Sequence, residues 1–195
     1  MNDSIDSPLQ LLESPLFESK RLKVYVKRDD LIHPEVSGNK WRKLKYNVEK
    51  AKQNKNEGIL TFGGAFSNHL IASAQAAYQH GLSSIGIVRG DELNPRSNET
   101  LSACSKLGME LVFLSRSDYQ LRTDKSFLAE LHDAYPNYWF VPEGGANYYG
   151  AIGCQEILTD IPEKYDHIYV AMGTGTTAAG ILSAVQLPTI VHGVS

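Results

Sequence analysis

The chain has 195 residues, 42% hydrophobic and 21% charged, which is enough to bury one sizeable core or two small ones and excludes a disordered or fibrous protein. Its formal net charge is -3, and basic residues gather only between Lys40 and Lys55, where they mix with apolar ones, so nucleic acid is not expected as a partner. Only Cys104 and Cys154 occur, with no CxxC and no nearby His pair; neither a disulfide framework nor a metal site is indicated, and a reducing, cytoplasmic setting is expected.

The opening MNDSIDSPLQ is acidic and polar and lacks the basic-then-apolar order of a signal peptide. Beyond it, short β-rich stretches alternate with longer helix-like ones, the pattern of an α/β protein. Strands are expected at Leu22–Lys27, Gly58–Phe62, Ser84–Val88, Glu110–Leu114, Tyr138–Val141, His167–Ala171 and Thr189–Val194, most of them continuous apolar runs suited to a parallel sheet covered on both faces. Helical spacing recurs at Trp41, Leu44, Val48 and Ala51 after Asn39, and at Leu70, Ile71, Ala74, Ala77 and Tyr78 after Ser67. Further helices are expected at Ser97–Leu107, Asp118–Tyr135, Ala146–Thr159 and Thr176–Val185, with Pro136, Pro142 and Pro162 punctuating their ends.

From His167 to Ser195 there is no Asp, Glu, Lys or Arg. Gly173, Gly175, Pro188 and a Thr cluster interrupt the run, so it reads as two buried strands flanking a helix and not as a membrane span. The chain stops at HGVS directly after a predicted strand, where a parallel sheet would normally continue into a covering helix, so a fragment truncated at its carboxyl end is expected.

Three segments carry candidate chemistry. In Ser37-Gly38-Asn39-Lys40-Trp41-Arg42-Lys43 a polar loop opens a helix, with Asn39 as the expected N-cap and Lys40 in the first turn. The helix amino end and the adjacent Arg42 and Lys43 disfavour a charged Lys40, which suits an imine-forming lysine; a solvated lysine on a basic helix is the plainer alternative. In Thr61-Phe62-Gly63-Gly64-Ala65-Phe66-Ser67-Asn68-His69 a strand runs into a Gly-Gly turn and a helix, the place where open α/β sheets bind ligands. Gly63 and Gly64 permit close backbone approach, and the N–H groups of Asn68 and His69 are available to a carboxylate or phosphate. Ser67 also reads as an N-cap, with Phe66 and Ile71 forming a hydrophobic staple, and His69 by itself reads as an ordinary surface or core histidine.

The third segment, Met172-Gly173-Thr174-Gly175-Thr176-Thr177-Ala178, is again strand, Gly-rich turn and helix, and suits a phosphate. It lacks the Lys-Ser/Thr of a Walker loop. It matches G-x-G-x-x-A, but no Asp or Glu comes after Asp166, so the ribose-binding acid of a dinucleotide site is missing. A fourth Gly-rich stretch, Pro142 to Gly150, reads as a domain-crossing loop.

Together, Val26-Lys27-Arg28-Asp29-Asp30-Leu31, Gly38-Asn39-Lys40 with Arg42-Lys43-Leu44, Gly63-Gly64 with Ser67-Asn68, and the loop Gly173–Thr177 resemble the 1-aminocyclopropane-1-carboxylate deaminase and D-cysteine desulfhydrase family, within the tryptophan-synthase-β-like, fold type II group of pyridoxal-phosphate enzymes. The resemblance spans nearly the whole chain. It implies an α/β fold of two domains with open parallel sheets, 1–44 and 146–195 belonging to the larger and 45–145 to the smaller. It further implies that Lys40 holds pyridoxal 5'-phosphate as an imine, that Asn68 bonds the cofactor's 3′ oxygen, and that Gly173, Thr174, Gly175, Thr176 and Thr177 hold its phosphate. Ser67, with Asn68 and His69, would meet the carboxylate of a small amino-acid substrate, and Ser67 would also act in ring opening. A homodimer is implied as well.

Deamination of 1-aminocyclopropane-1-carboxylate is the first expected activity and D-cysteine desulfhydration the second. A chain that binds the cofactor without turnover, and a nicotinamide oxidoreductase resting on the Gly173 loop alone, are the alternatives from other classes.

Overall fold

A computed structural model describes residues 7–33, 36, 38–159, 161 and 164–195. Ser37, Pro162 and the first six residues, which figure in the sequence motifs above, lie outside them. Four strands form one parallel sheet: β3 (Gly58–Gly64), β4 (Ser83–Arg89), β5 (Met109–Leu114) and β6 (Tyr138–Val141), in the order β5-β4-β3-β6. Ile59, Leu60, Phe62, Ile85, Ile87 and Val88 are all buried, as expected for central strands covered on both faces. One face carries α2 (Asn39–Gln53), α3 (Asn68–Gln79) and α4 (Glu99–Lys106), whose Leu44, Val48, Leu70, Ala74 and Leu101 join the core. The other face carries α5 (Arg116–Gln120) and α6 (Lys125–Ala134), packed through Tyr119, Phe127, Leu128 and Leu131.

The single helix expected over Asp118–Tyr135 is thus two, separated by a 3₁₀ turn at Leu121–Thr123; Asp124 starts the second by accepting from the Ser126 and Phe127 amides. Tyr78, placed on the buried stripe of α3 by its spacing, is 64% exposed at the last turn.

The amino-terminal region departs most from expectation. A strand begins at Val24, not Leu22, and pairs antiparallel with an unforeseen strand, Leu9–Leu12; these are β2 (Val24–Lys27) and β1, joined by a short α1 (Pro15–Ser19). Strands of four residues with no buried side chain carry little periodic signal, and the pairing itself stabilises them. Toward the carboxyl end, α7 (Tyr148–Thr159) leads to β7 (His167–Ala171), α8 (Thr176–Ala184) and β8 (Ile190–Val194), with β7 and β8 parallel. Cys154, Ile157 and Ile181 cover one face of this pair through Ile168, Val170 and Val191. The other face is open: Tyr169, Ile190 and Val194 are all more than half exposed, so these strands are not buried as expected, because helices cover only one side among the described residues. No described helix is long and apolar enough to cross a membrane.

The chain runs from β3 outward to β4 and β5, then returns to add β6 on the opposite side. That reversal makes the carboxyl ends of β3 and β6 a topological switch point, the place at which open α/β sheets receive ligands.

Candidate active site

Lys40 is the second residue of α2. Gly38, not Asn39, stands at the N-cap: its φ of 65° and ψ of -152° belong to glycine, and no side chain caps the amides. Asn39 is instead inside the first turn. Its Nδ2 donates to Thr177 Oγ1 at 2.9 Å and its Oδ1 accepts from Lys40 Nζ at 3.3 Å. Lys40 is half-buried, and that burial holds its pKa below the ordinary lysine value. One side chain therefore links Lys40 to the first turn of α8.

One turn further on, Lys43 is only 3% exposed, and no carboxylate pairs with it among the described residues. Burial, then the nearby Lys40 ammonium, pushes its pKa down to about 8. By sequence, Lys43 counts only as a charge near Lys40. The i, i+3 spacing that sets both on one helix face is visible there, but the lack of a carboxylate partner is not. Arg42, fully buried between them, is instead paired with a carboxylate: Nε and Nη2 meet Asp29 at 2.7 and 2.8 Å, and Asp29 also accepts from Ser7. The Val26–Leu31 motif thus anchors the start of α2 to the turn after β2.

The Gly63-Gly64 turn brings Ser67 back over the end of β3, and Ser67 Oγ accepts from the Leu70 amide at 3.3 Å, so it is a true N-cap. The staple expected beside it does not form, because Phe66 is 79% exposed while Ile71 packs against the core. Asn68 is exposed at the first position of α3. The His69 side chain is a core histidine, one of the two ordinary readings its sequence allows: the ring is 2% exposed, with Nε2 2.9 Å from Thr61 Oγ1. The Thr61 hydroxyl donates to the Val141 carbonyl at 2.8 Å, so its one proton is used and His69 Nε2–H must be the donor to it. Burial pushes the imidazole pKa down to about 3, leaving it neutral. With the ring enclosed, the backbone N–H is the group that His69 offers a ligand.

In the third segment, Gly175 takes φ 78° and starts α8, the Thr174 and Thr176 hydroxyls lie 3.1 Å apart, and Thr176 and Thr177 are buried in the first turn. Between these parts runs the turn after β6. Gly144 and Gly145 have φ of 67° and 71°; a β-carbon on the first would stand 2.8 Å from Thr174 Cγ2, and on the second 3.0 Å from Lys43 Cβ. The stretch expected as a crossing loop therefore touches both α2 and the Gly-Thr loop.

Chemically, the site combines a half-buried lysine of lowered basicity, a buried ammonium with no described carboxylate partner, a hydroxyl-lined helix start and a Ser-Asn turn with Ser67 half-buried and Asn68 exposed. The first suits attack on a carbonyl, the next two an oxygen-rich anion, and the last a carboxylate. These residues fit a phosphorylated aldehyde cofactor: a buried ammonium such as Lys43 is costly in a core unless an anion offsets it.

A family model described as pyridoxal-phosphate dependent enzyme matches residues 8–194. A Thermotoga maritima protein, provisionally named a 1-aminocyclopropane-1-carboxylate deaminase, is 33% identical over 190 residues, covering 92% of this chain and 59% of that one. The mitochondrial bifunctional D-cysteine desulfhydrase/1-aminocyclopropane-1-carboxylate deaminase of Arabidopsis thaliana is 30% identical over 175 residues, covering 81% of this chain and 44% of its own. A crystal structure of an ACC deaminase homologue superposes with a TM-score of 0.76 at 28% identity, over 93% of this chain and 56% of that one. The chain thus spans about half the length of the relatives it matches.

Proposed function

Because the chain belongs to the family of pyridoxal-phosphate-dependent enzymes, we propose that it serves the deamination of 1-aminocyclopropane-1-carboxylate to 2-oxobutanoate and ammonia, with Lys40 as the cofactor's anchor. The observation that carries this reading is the placement of Lys40 and the buried Lys43 on one face of α2, linked through Asn39 to the Gly173–Thr177 loop.

Bound pyridoxal phosphate supplies the electron sink for charge developing at the substrate's α-carbon. Lys40 holds the cofactor's carbonyl carbon through an amine whose basicity burial lowers. The amides from Gly173 to Thr177, the Thr174 and Thr176 hydroxyls and the Lys43 ammonium take the phosphate. The side chain of Asn68 donates to the 3′ oxygen. Ser67 Oγ and the Asn68 and His69 amides receive the substrate carboxylate, and the Ser67 hydroxyl moves a proton as the ring opens. The same residues serve D-cysteine desulfhydration to pyruvate, sulfide and ammonia, and the two activities named for the Arabidopsis relative favour keeping it as the second reading. A homodimer in the cytoplasm, with residues 45–145 as the smaller of two domains, belongs to this proposal on the strength of the family resemblance.

The test is an absorbance spectrum of the purified chain with pyridoxal phosphate beside that of Lys40→Ala. A visible lysine-imine band present in the first and lost in the second supports the anchor, and release of 2-oxobutanoate against sulfide then separates the two activities. A band without either product would point to cofactor binding without turnover. No band in the parent chain counts against the reading.

A further inference from the structure

We propose that Glu143 is a positioning residue for the anion-binding loop Gly173–Thr177, gripped by Tyr119 and Arg122 so that Gly144 is held against Thr174. The assignment of a phosphate to that loop rests on the function proposed above; the mechanical link does not.

Glu143 leaves the carboxyl end of β6, and both of its carboxylate oxygens are engaged. Tyr119 Oη donates to one at 2.9 Å and Arg122 Nε to the other at 2.7 Å. The Arg122 guanidinium also stands 5.0 Å over the Tyr119 ring. The ion pair by itself is weak, because both side chains are about a third exposed. Tyr119 is what makes the grip rigid: its ring is 2% exposed, edge-on to Phe62, in the core beneath the sheet. Two residues earlier, the Val141 carbonyl is fixed by Thr61, which accepts from His69. The turn is therefore tied to the four-stranded sheet on both sides of Pro142.

Beyond Glu143 the turn is closed by the Gly145 N–H, which donates to the Pro142 carbonyl at 2.9 Å. Gly144 and Gly145 both take φ near 70°, a conformation open to glycine, and neither has a side chain to intervene between the backbone and its neighbour. Gly144 abuts the Thr174 methyl and Gly145 abuts Lys43. Thr174 passes the constraint to Thr176 through their hydroxyls. Tyr119, Arg122 and Glu143 thus act on the loop through Gly144. The Ser67–His69 turn and the Gly-Thr loop, which lie on separate sheets, are thereby joined by one short path: His69, Thr61, Val141, then Glu143, Gly144, Thr174. If occupation of either end stiffens that path, the two sites are coupled, and by linkage the coupling is equal in both directions.

The experiment is amide hydrogen exchange of Thr174–Thr177 in the full chain, comparing parent, Glu143→Gln and Tyr119→Phe, with the pyridoxal phosphate dissociation constant measured alongside. Tyr119→Phe removes only a hydroxyl, so it reports even where the charge change unsettles folding. Both variants are expected to exchange about fivefold faster in the loop, the effect of one lost hydrogen bond, with the β4 amides of Ile85–Val88 unchanged and the dissociation constant raised in parallel. Loop exchange at the parent rate in Tyr119→Phe, or a rise shared equally by β4, overturns the proposal. Should the parent bind no pyridoxal phosphate, the functional reading fails and the exchange rates alone decide this one.

Discussion

Asn39 Nδ2 donates to Thr177 Oγ1 at 2.9 Å across 138 residues of sequence, so the residue that precedes the candidate cofactor lysine also holds the first turn of the helix behind the candidate phosphate loop. Removing the Asn39 side chain separates two parts of one site and also takes away the acceptor that Lys40 Nζ meets at 3.3 Å. Asn39→Ala is expected to weaken pyridoxal phosphate binding about fivefold, the worth of one net hydrogen bond, while the imine band keeps its position. Titration followed at that band checks it; unchanged affinity would mean that the two segments are held together by packing alone.

Lys43 is expected to trade stability for binding. Its buried ammonium has no carboxylate partner among the described residues, so Lys43→Met should raise unfolding free energy by about 0.5–2 kcal/mol, as cores gain when a destabilising functional group is replaced, and should abolish tight binding of the cofactor's phosphate. Urea denaturation without ligand, together with a binding isotherm, measures both halves.

The pH dependence of that trade has a definite sign. The folded pKa of Lys43, about 8, lies below the ordinary lysine value of 10.5, so the unfolded chain binds more protons between these values and stability rises with pH across that window. Anion binding runs the opposite way and falls as pH climbs through about 8, when the ammonium is lost. Dissociation constants for inorganic phosphate, measured on either side of that value, test this, and a flat profile would remove Lys43 from the phosphate site.

His69 makes a separate prediction at the acid end. Its folded pKa of about 3 lies below the ordinary histidine value of 6.5, so it contributes stability that is fully present above 6.5 and is lost as pH falls through that window toward 3. His69→Gln should flatten the fall in unfolding free energy over that range relative to the parent, measured by urea titrations at several pH values.

The Asp29–Arg42 pair is largely buried, with Arg42 fully enclosed and two bonds between the partners. Asp29→Ala leaves that guanidinium without its carboxylate and is expected to cost about 3–5 kcal/mol. A thermal melt of the variant reads the loss directly, and a cost below about 1 kcal/mol, the range of an exposed pair, would assign the anchoring of α2 to packing.

The sequence by itself determined the parts of this protein whose physics is local. A strand running into Gly-Gly or Gly-Thr-Gly and then a helix announces an anion-ready turn, because glycine backbone freedom and free helix amides depend on a few consecutive residues. The stripe Trp41, Leu44, Val48 and Ala51 came from periodicity, and all four residues are buried; the placing of Lys40 in a first helical turn came from the helix-start signal of the polar loop before it. The tertiary structure decided what depends on partners far along the chain. Whether Lys43 finds a carboxylate, whether His69 faces a ligand or Thr61, whether Phe66 staples a helix, and what Tyr119 grips all turn on neighbours brought together from distant residues. Burial and pairing set the charge state of each ionisable group among them, and neither is written in its local sequence.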